Sequence, residues 1–317
     1  MENMQHCIGA RQRFRFNMND IIDIEKKQII GKGAHCEVYK ISDDRVLKLY
    51  HKDIPESEII KEQKLAKAAM ENGIQTAEVY DIYQCGDRKG LLFEYIHSCT
   101  LTEYLCQHPD ESEIYAKKLA ELAMQIHKMK IDPSICMNYK EIMHERLNAV
   151  KNYYSAGELK RIHRLIDSIP DKDTIIHTDF HPGNVMMKGK ELILIDMADI
   201  SIGHPIFDIA STYMGLVVIP RKFEKQKKVQ SASLDVEAAE KMWDIFIREY
   251  LQNKDEGLVE LYENCSKAIT DLRFCASKNA GNTGGERIAK LMAWRARFTF
   301  LPKINKYCRL MSQINVF

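Results

Sequence analysis

No stretch of this 317-residue chain runs to eighteen apolar residues, about the length a helix needs to cross a bilayer, so no transmembrane helix is expected. Residues Met1 to Asp20 carry Arg11, Arg13 and Arg15 but no apolar h-region, which argues against a secretory signal. The nine cysteines are odd in number and form no C-x-x-C pair. That excludes an obvious disulfide framework and points to reduced thiols in a cytoplasmic protein. Excess charge is also missing. A formal net charge of +1 argues against an electrostatic nucleic-acid binder. There is no internal repeat and no low-complexity tract. What the chain does have is 45% hydrophobic content over a length that suits one two-lobed enzyme or two domains.

The informative stretch runs from Ile175 to Asp208. It reads I-I-H-T-D-F-H-P-G-N-V-M-M, a short hairpin, L-I-L-I-D-M-A-D, then G-H-P-I-F-D. It contains Asp179, Asn184 five residues later, and Asp196 at the end of the apolar run Leu192 to Ile195. Phosphoryl transfer from a nucleotide needs a carboxylate to position a hydroxyl, and oxygen ligands to hold Mg²⁺ on the phosphates. The strand before Asp196 places its carboxylate at the rim of a core. Asn184 follows the turn Pro182-Gly183, and its amide oxygen can ligate a cation without adding charge. Asp179 lies in a loop and at its ordinary pKa is a weak base, suited to orient a hydroxyl and accept its proton late.

These motifs closely resemble the aminoglycoside phosphotransferase and choline kinase-like superfamily of small-molecule kinases. His177-Thr178-Asp179 stands where that family has His-Gly-Asp, His181-Pro182-Gly183-Asn184 matches its H-P-G-N loop, and Gly203-His204-Pro205 with Asp208 matches its G-x-P-x-x-D. The resemblance implies an α+β, bilobal protein-kinase-like fold, with a small antiparallel β N-lobe over residues 1–96 and a larger, mostly helical C-lobe over 97–317. It implies Asp179 as catalytic base, Asn184 and Asp196 as metal ligands, and Asp208 as a structural residue bonding backbone amides of the catalytic loop. The cofactors implied are ATP (or GTP) and Mg²⁺, and the partner is a small-molecule hydroxyl acceptor, with no nucleic acid and no membrane.

A nucleotide lobe should then lie upstream. Gln28 to Tyr39 reads strand, glycine turn, strand, and Gly31 and Gly33 let backbone N–H groups approach phosphates. Cys36 stands where the kinase loop has a third glycine. Val46 to Tyr50 is an apolar strand carrying Lys48, placed where kinases keep the lysine that binds the α- and β-phosphates. Such a lysine needs a carboxylate to hold it. A helix opens at Pro55-Glu56-Ser57 and stops near Asn72-Gly73. On it Glu62 shares a face with Ile59, Ala66 and Ala69, which makes it the expected partner of Lys48, with Glu58 as the competitor one turn earlier. Leu91 to Ile96 reads as the last strand and hinge. The resemblance gives Glu94 to Ile96 the purine-bonding backbone, and Ile30, Val38, Met186 and Ile195 the sandwich around the ring.

The chain beyond the hinge reads as helical. The 112–130 segment carries Tyr115, Leu119, Leu122, Ile126 and Met129 on one stripe, with His127 as a packed histidine. Further helices are expected at 140–154, 157–168, 205–219, 235–252, 256–277 and 285–314, the last with Trp294, Phe298 and Phe300. The run Arg221, Lys222, Lys225, Lys227 and Lys228 reads as a solvated face. Thr178 replaces the arginine that reads a phosphorylated activation loop in protein kinases, Met197-Ala198 replaces Phe-Gly, and no Ala-Pro-Glu follows. Little room is left for peptide docking. The expected activity is therefore transfer of a nucleotide's γ-phosphate to a small-molecule hydroxyl. The alternatives are an atypical protein kinase and a non-catalytic nucleotide-binding scaffold. The C-terminal part is mildly basic, which disfavours a polycationic acceptor. Choline, a sugar, a thiosugar or another metabolite alcohol stays open.

Overall fold

The computed structural model describes residues 22, 24–33, 35–225, 234–252, 255–276 and 285–314. The expectations for Arg11, Arg13 and Arg15, for Lys227 and Lys228, and for the end of a helix at residue 277 fall outside these residues, as does Ala34 of the glycine turn. The chain divides into two compact units, residues 1–60 with 79–95, and 61–78 with 96–317. Residues 61–78, expected with the N-terminal lobe, fall in the second unit, and two of them are bonded there. The Leu194 amide donates to the Gln75 carbonyl at 2.8 Å, and the Lys130 amide donates to Asn72 Oδ1 at 2.8 Å.

The first unit is an antiparallel sheet. Its strands are β1 (Gln28–Lys32), β2 (Cys36–Lys40), β3 (Arg45–Tyr50), β4 (Val79–Cys85) and β5 (Arg88–Glu94), in the order β1-β2-β3-β5-β4. Successive side chains of a strand point to opposite faces, so β3 splits its residues cleanly. Leu47 and Leu49 are fully buried and share a core with Tyr39, Tyr83 and Leu92. Lys48 faces the other way. The register sets Gly31 opposite Val38, Val38 opposite Lys48, and Lys48 opposite Leu91. Strand β4 was not anticipated. It has the aromatic and β-branched content of a strand, but Asp81 and Gln84 break up its apolar run.

Helix α1 (Glu56–Glu71) buries Ile59, Glu62, Leu65, Ala66 and Ala69 and leaves Glu58 exposed. The second unit continues with α2 (Leu101–Gln107), a short helix the sequence reading missed. It is fixed by a capping box in which Thr100 and Glu103 satisfy each other's backbone N–H groups. Then come α3 (Ser112–Ile126), α4 (Tyr139–Ala149) and α5 (Ala156–Asp167), with α3 stopping short of the expected 130. Two short antiparallel pairs follow: β6 (Thr174–Ile176) with β9 (Ser201–Gly203), and β7 (Val185–Lys188) with β8 (Glu191–Leu194). Helix α6 (Ile206–Tyr213) is buried along its whole length and runs through a π-turn, Met214–Val218, into α7 (Ile219–Lys225), past the expected end at 219.

The chain closes with α8 (Val236–Leu251), α9 (Glu256–Cys275), α10 (Gly285–Thr299) and α11 (Ile304–Met311). The single helix expected over 285–314 is broken at Leu301–Lys303. Pro302 lacks an amide hydrogen and its ring crowds the preceding turn. Trp294 and Phe298 are 59% and 67% exposed, while Phe300 is 1% exposed and joins the core. No helix among the described residues is long and apolar enough to cross a membrane.

Candidate active site

The loop from His177 to Asn184 is held from three sides. Asp208, in the first turn of α6, accepts the His177 amide on Oδ2 at 2.8 Å and the Thr178 amide on Oδ1 at 2.6 Å. This is the amide-binding role expected for Asp208. Its Oδ2 also meets His127 Nε2 at 3.1 Å, and His127 Nδ1 lies 2.8 Å from the Tyr250 hydroxyl. Burial raises the Tyr250 pKa far above the ordinary phenol range. A carboxylate oxygen only accepts, so the imidazole directs its Nε2–H at Asp208. Helices α3, α6 and α8 thus meet on one buried carboxylate that is 1% exposed. Hydrogen bonds to an ionised group are the strong kind.

The same face of α6 continues the grip at i+3 and i+4. Ser211 Oγ donates to Asp179 Oδ1 at 3.3 Å, and Thr212 Oγ1 donates to the Phe180 carbonyl at 3.0 Å. Within the loop, Thr178 has φ of 71°. A β-branched residue in the left-handed region is a genuine outlier. Its amide bond to Asp208 and a 3.3 Å bond from its hydroxyl to the Asp199 carbonyl hold it there.

Asp179 is ringed by donors. Asn184 Nδ2 lies 3.2 Å from Oδ2 and 2.9 Å from the Asp179 carbonyl, Arg273 Nη2 lies 3.2 Å from Oδ1, and His181 Nε2 lies 3.6 Å from Oδ2. His181 Nδ1 accepts the Gly183 amide at 3.0 Å, which leaves Nε2 as the protonated nitrogen facing Asp179. Burial pushes the Asp179 pKa up. The close approach of the His181 Nε2–H and the positive charge of Arg273 outweigh this and hold the carboxyl well below the usual carboxylate range. Asp179 is therefore a hydrogen-bond acceptor at any physiological pH and a weak base.

The β7–β8 hairpin brings Asn184 and Asp196 together. Val185 pairs with Leu194, and one step further out the Ile195 amide donates to the Asn184 carbonyl at 3.0 Å. Asn184 thus enters β7 beside the point where Asp196 leaves β8. Asp196 takes φ of 65°, a left-handed conformation that aspartate tolerates. Its side chain is exposed, more open than the apolar run before it suggested. His177 Nε2 donates to the Ile195 carbonyl at 3.0 Å, bracing this strand end against the loop. Because the Asn184 amide nitrogen is committed to Asp179, its oxygen is the end left for a cation. A carboxylate and an amide oxygen are the hard donors Mg²⁺ prefers.

The other predicted residues sit as follows. Gly31, Val38 and Lys48 form one row across the first unit's sheet, and Gly33 lies just past β1. A Cβ on Gly31 or Gly33 would meet protein only at ordinary contact distance, 3.5 Å or more. Internal packing therefore does not demand glycine at either position. Glu94 ends β5 opposite Arg45. In the second unit Met186 and Ile195 are half-buried on the hairpin, and Ile96 is buried. The segment after Ile96 reaches the hairpin, where the Met187 amide donates to the Cys99 carbonyl at 3.0 Å. Glu62 is 2% exposed, and its expected partner, Lys48, belongs to the other unit.

A pocket of about 270 Å³ opens beside the loop, lined among others by Thr100, Thr102, His181, Gly183, Gly215 and Leu234. Gly215 lies in the π-turn, a feature frequent at functional sites. A Cβ there would stand 3.0 Å from His181 Cβ. Gly215→Ala is expected to push His181 by a few tenths of an ångström and lower kcat roughly tenfold, because small misplacements near reacting groups are costly. Steady-state kinetics on the folded variant check this, and unchanged kcat would show that His181 has no positioning role. A larger recess of about 610 Å³, against Met70, Gln75, Lys188 and Ile193, is lined by none of Asp179, Asn184 and Asp196.

Sequence reasoning missed Arg273, Ser211, Gly215 and Tyr250. None of them stands in a motif; Arg273, Ser211 and Gly215 reach the loop through helix packing, and Tyr250 acts through His127.

The sequence profile of the phosphotransferase enzyme family (APH) matches residues 28–243. A search of the curated proteins finds no match. Among solved structures, the chain resembles the ADP-bound aminoglycoside phosphotransferase APH(2'')-Ib at 14% identity, with a TM-score of 0.56 and coverage of 92% of this chain and 95% of that one. It resembles a choline/ethanolamine kinase family protein from Mesorhizobium loti at 14% identity and a TM-score of 0.60, covering 90% and 92%. A third likeness is to the streptomycin–ATP–APH(2'')-IIa ternary complex, at 14% identity and a TM-score of 0.58, covering 85% and 91%.

Proposed function

From the premise that the chain belongs to the phosphotransferase enzyme family, we propose that it transfers the γ-phosphoryl group of ATP or GTP to a hydroxyl of a small molecule, with Mg²⁺ as cofactor. The observation that carries this reading is the coupling of Asp179 to Asn184 at 3.2 Å, on a hairpin whose register delivers Asp196 to the same end. The nucleotide-bound structures it resembles, one with ADP and one with ATP and streptomycin, support the donor and the acceptor class.

In this reading Asp179 accepts a hydrogen bond from the acceptor hydroxyl and aims its oxygen at the γ-phosphorus. Because the carboxyl is held below its usual range, it takes the proton only as the new O–P bond forms. Asn184 fixes the Asp179 rotamer through Nδ2. Its oxygen and the Asp196 carboxylate would hold Mg²⁺, which supplies charge neutralisation on the phosphates. Gly31, Gly33 and Lys48 serve the phosphates, and the Glu94 to Ile96 backbone serves the base.

Asp196→Ala is expected to lower Mg·nucleotide affinity about tenfold or more, a loss of about 1.4 kcal/mol or greater, and extra Mg²⁺ does not restore turnover. Titration calorimetry on the folded variant tests this, and unchanged affinity contradicts the ligand assignment. The reaction itself is tested by nucleotide-diphosphate release with ATP or GTP over a panel of alcohols. No release above the acceptor-free rate would reject the assignment in favour of a nucleotide-binding scaffold.

A further inference from the structure

Helix α9 lies beyond residues 28–243, the part that matches the family profile. Its Arg273 nevertheless reaches the centre of the site. Nη2 lies 3.2 Å from Asp179 Oδ1, the side chain is 18% exposed, and Nη1 is buried with no hydrogen-bond partner among the described residues. Guanidinium stays charged at every accessible pH and carries five donors in a planar fork that suits carboxylate and phosphate. Nη2 is the end that faces Asp179, and Nη1 is enclosed.

The remaining groups on the Asp179 carboxylate are Ser211 Oγ, Asn184 Nδ2 and His181 Nε2. All of them are donors, and none brings a second negative charge to the base. An acceptor hydroxyl bonded to Asp179 stands about 2.7 Å from it. A substituent one to three bonds from that hydroxyl therefore falls within reach of Arg273. An ammonium there meets a like charge. An anionic oxygen group meets the Nη2 end of the fork, the end that faces Asp179.

We propose that Arg273 is the residue that selects the acceptor, and that the acceptor is an alcohol bearing a carboxylate or phosphate close to the hydroxyl that is phosphorylated. This rests on the phosphotransferase reading above. The step balances as an ordinary transfer. The hydroxyl oxygen forms a bond to the γ-phosphorus, the bond from that phosphorus to the β,γ-bridging oxygen breaks, and the nucleoside diphosphate leaves. The hydroxyl proton passes to Asp179 and then to water. Arg273 leaves Asp179 Oδ1 for the acceptor's anionic group, which frees that oxygen for the hydroxyl.

The test measures nucleoside diphosphate release with Mg·ATP and Mg·GTP against D-glycerate, glycerol 3-phosphate, glycerol, choline and gentamicin. The expected result is a higher kcat/KM for glycerate or glycerol 3-phosphate than for glycerol, choline or gentamicin, and the first two separate carboxylate from phosphate as the recognised group. In Arg273→Met the ratio of kcat/KM for the anionic alcohol to that for glycerol falls at least tenfold, carried by KM, and Arg273→Lys recovers part of it. A purely structural arginine would lower both values together and leave the ratio unchanged, and that outcome overturns the proposal. So does wild-type preference for choline or gentamicin, which leaves the phosphotransferase reading intact. Release with none of the five overturns this proposal, and no release across the broader alcohol panel rejects the phosphotransferase reading as well. If Arg273→Met does not fold, Arg273→Gln serves for the same ratio.

Discussion

Asp179→Asn cuts kcat by about 10²–10⁴-fold, the usual worth of a positioned acid or base, and leaves nucleotide affinity within a few-fold. The substitution keeps the volume and still offers one oxygen to Asn184, so the loop retains its shape. It removes the charge that organises Arg273, His181 and Asn184 around one point. An amide in that ring turns one end from acceptor to donor, so on the proposed reading the acceptor hydroxyl loses the group that aims it. The low pKa makes orientation the larger part of the role, so the loss should not be rescued by raising pH. Single-turnover kinetics with saturating nucleotide decide the matter. A folded variant with more than a tenth of wild-type turnover would remove Asp179 from the mechanism.

Asp208→Ala destabilises the second unit by about 3–5 kcal/mol, the range for breaking a buried charged network by deleting one partner. Two backbone amides and His127 Nε2 lose their acceptor at once, and each buried donor left unpaired costs about 1–3 kcal/mol. Water has little access to repair them, because Asp208 and His177 are each 1% exposed. Urea denaturation should show a lower midpoint with the slope unchanged. A loss below about 1 kcal/mol would mean that the loop keeps its shape without the clamp. Phe180→Leu offers a contrast within the same loop, since it keeps the backbone bond from Thr212 Oγ1 to residue 180.

How much of this could be read in the sequence follows from how far apart the partners lie along the chain. Asp179, Asn184 and Asp196 were legible because a single loop and hairpin place them, and the turn residues Pro182, Gly183 and Gly189 are local signals. Glu62 was separable from Glu58 by helical spacing alone, and burial agrees, with Glu62 inside and Glu58 exposed. Arg273 stands 94 residues from Asp179, and Tyr250 stands 123 residues from His127. Their roles come from the packing of α6 against α9 and of α3 against α8, which periodicity does not specify. The break at Pro302 was written in the sequence, but the apolar pattern on both sides concealed it. Strand β4 was hidden because its outward residues are polar, as expected of a half-exposed strand.

The left-handed Thr178 has a consequence for how the protein ages with heat. A β-branched residue at φ of 71° stores about 1–3 kcal/mol that relaxes if the loop lets go. What holds it is a bond network anchored on helices far away in sequence, so the loop's opening free energy is set by those anchors minus that stored strain. Regions open locally at free energies below that of global unfolding. The temperature at which turnover fails should therefore lie below the temperature at which the helices melt. In that interval the protein would be a folded but silent population, and cooling would restore its activity without refolding.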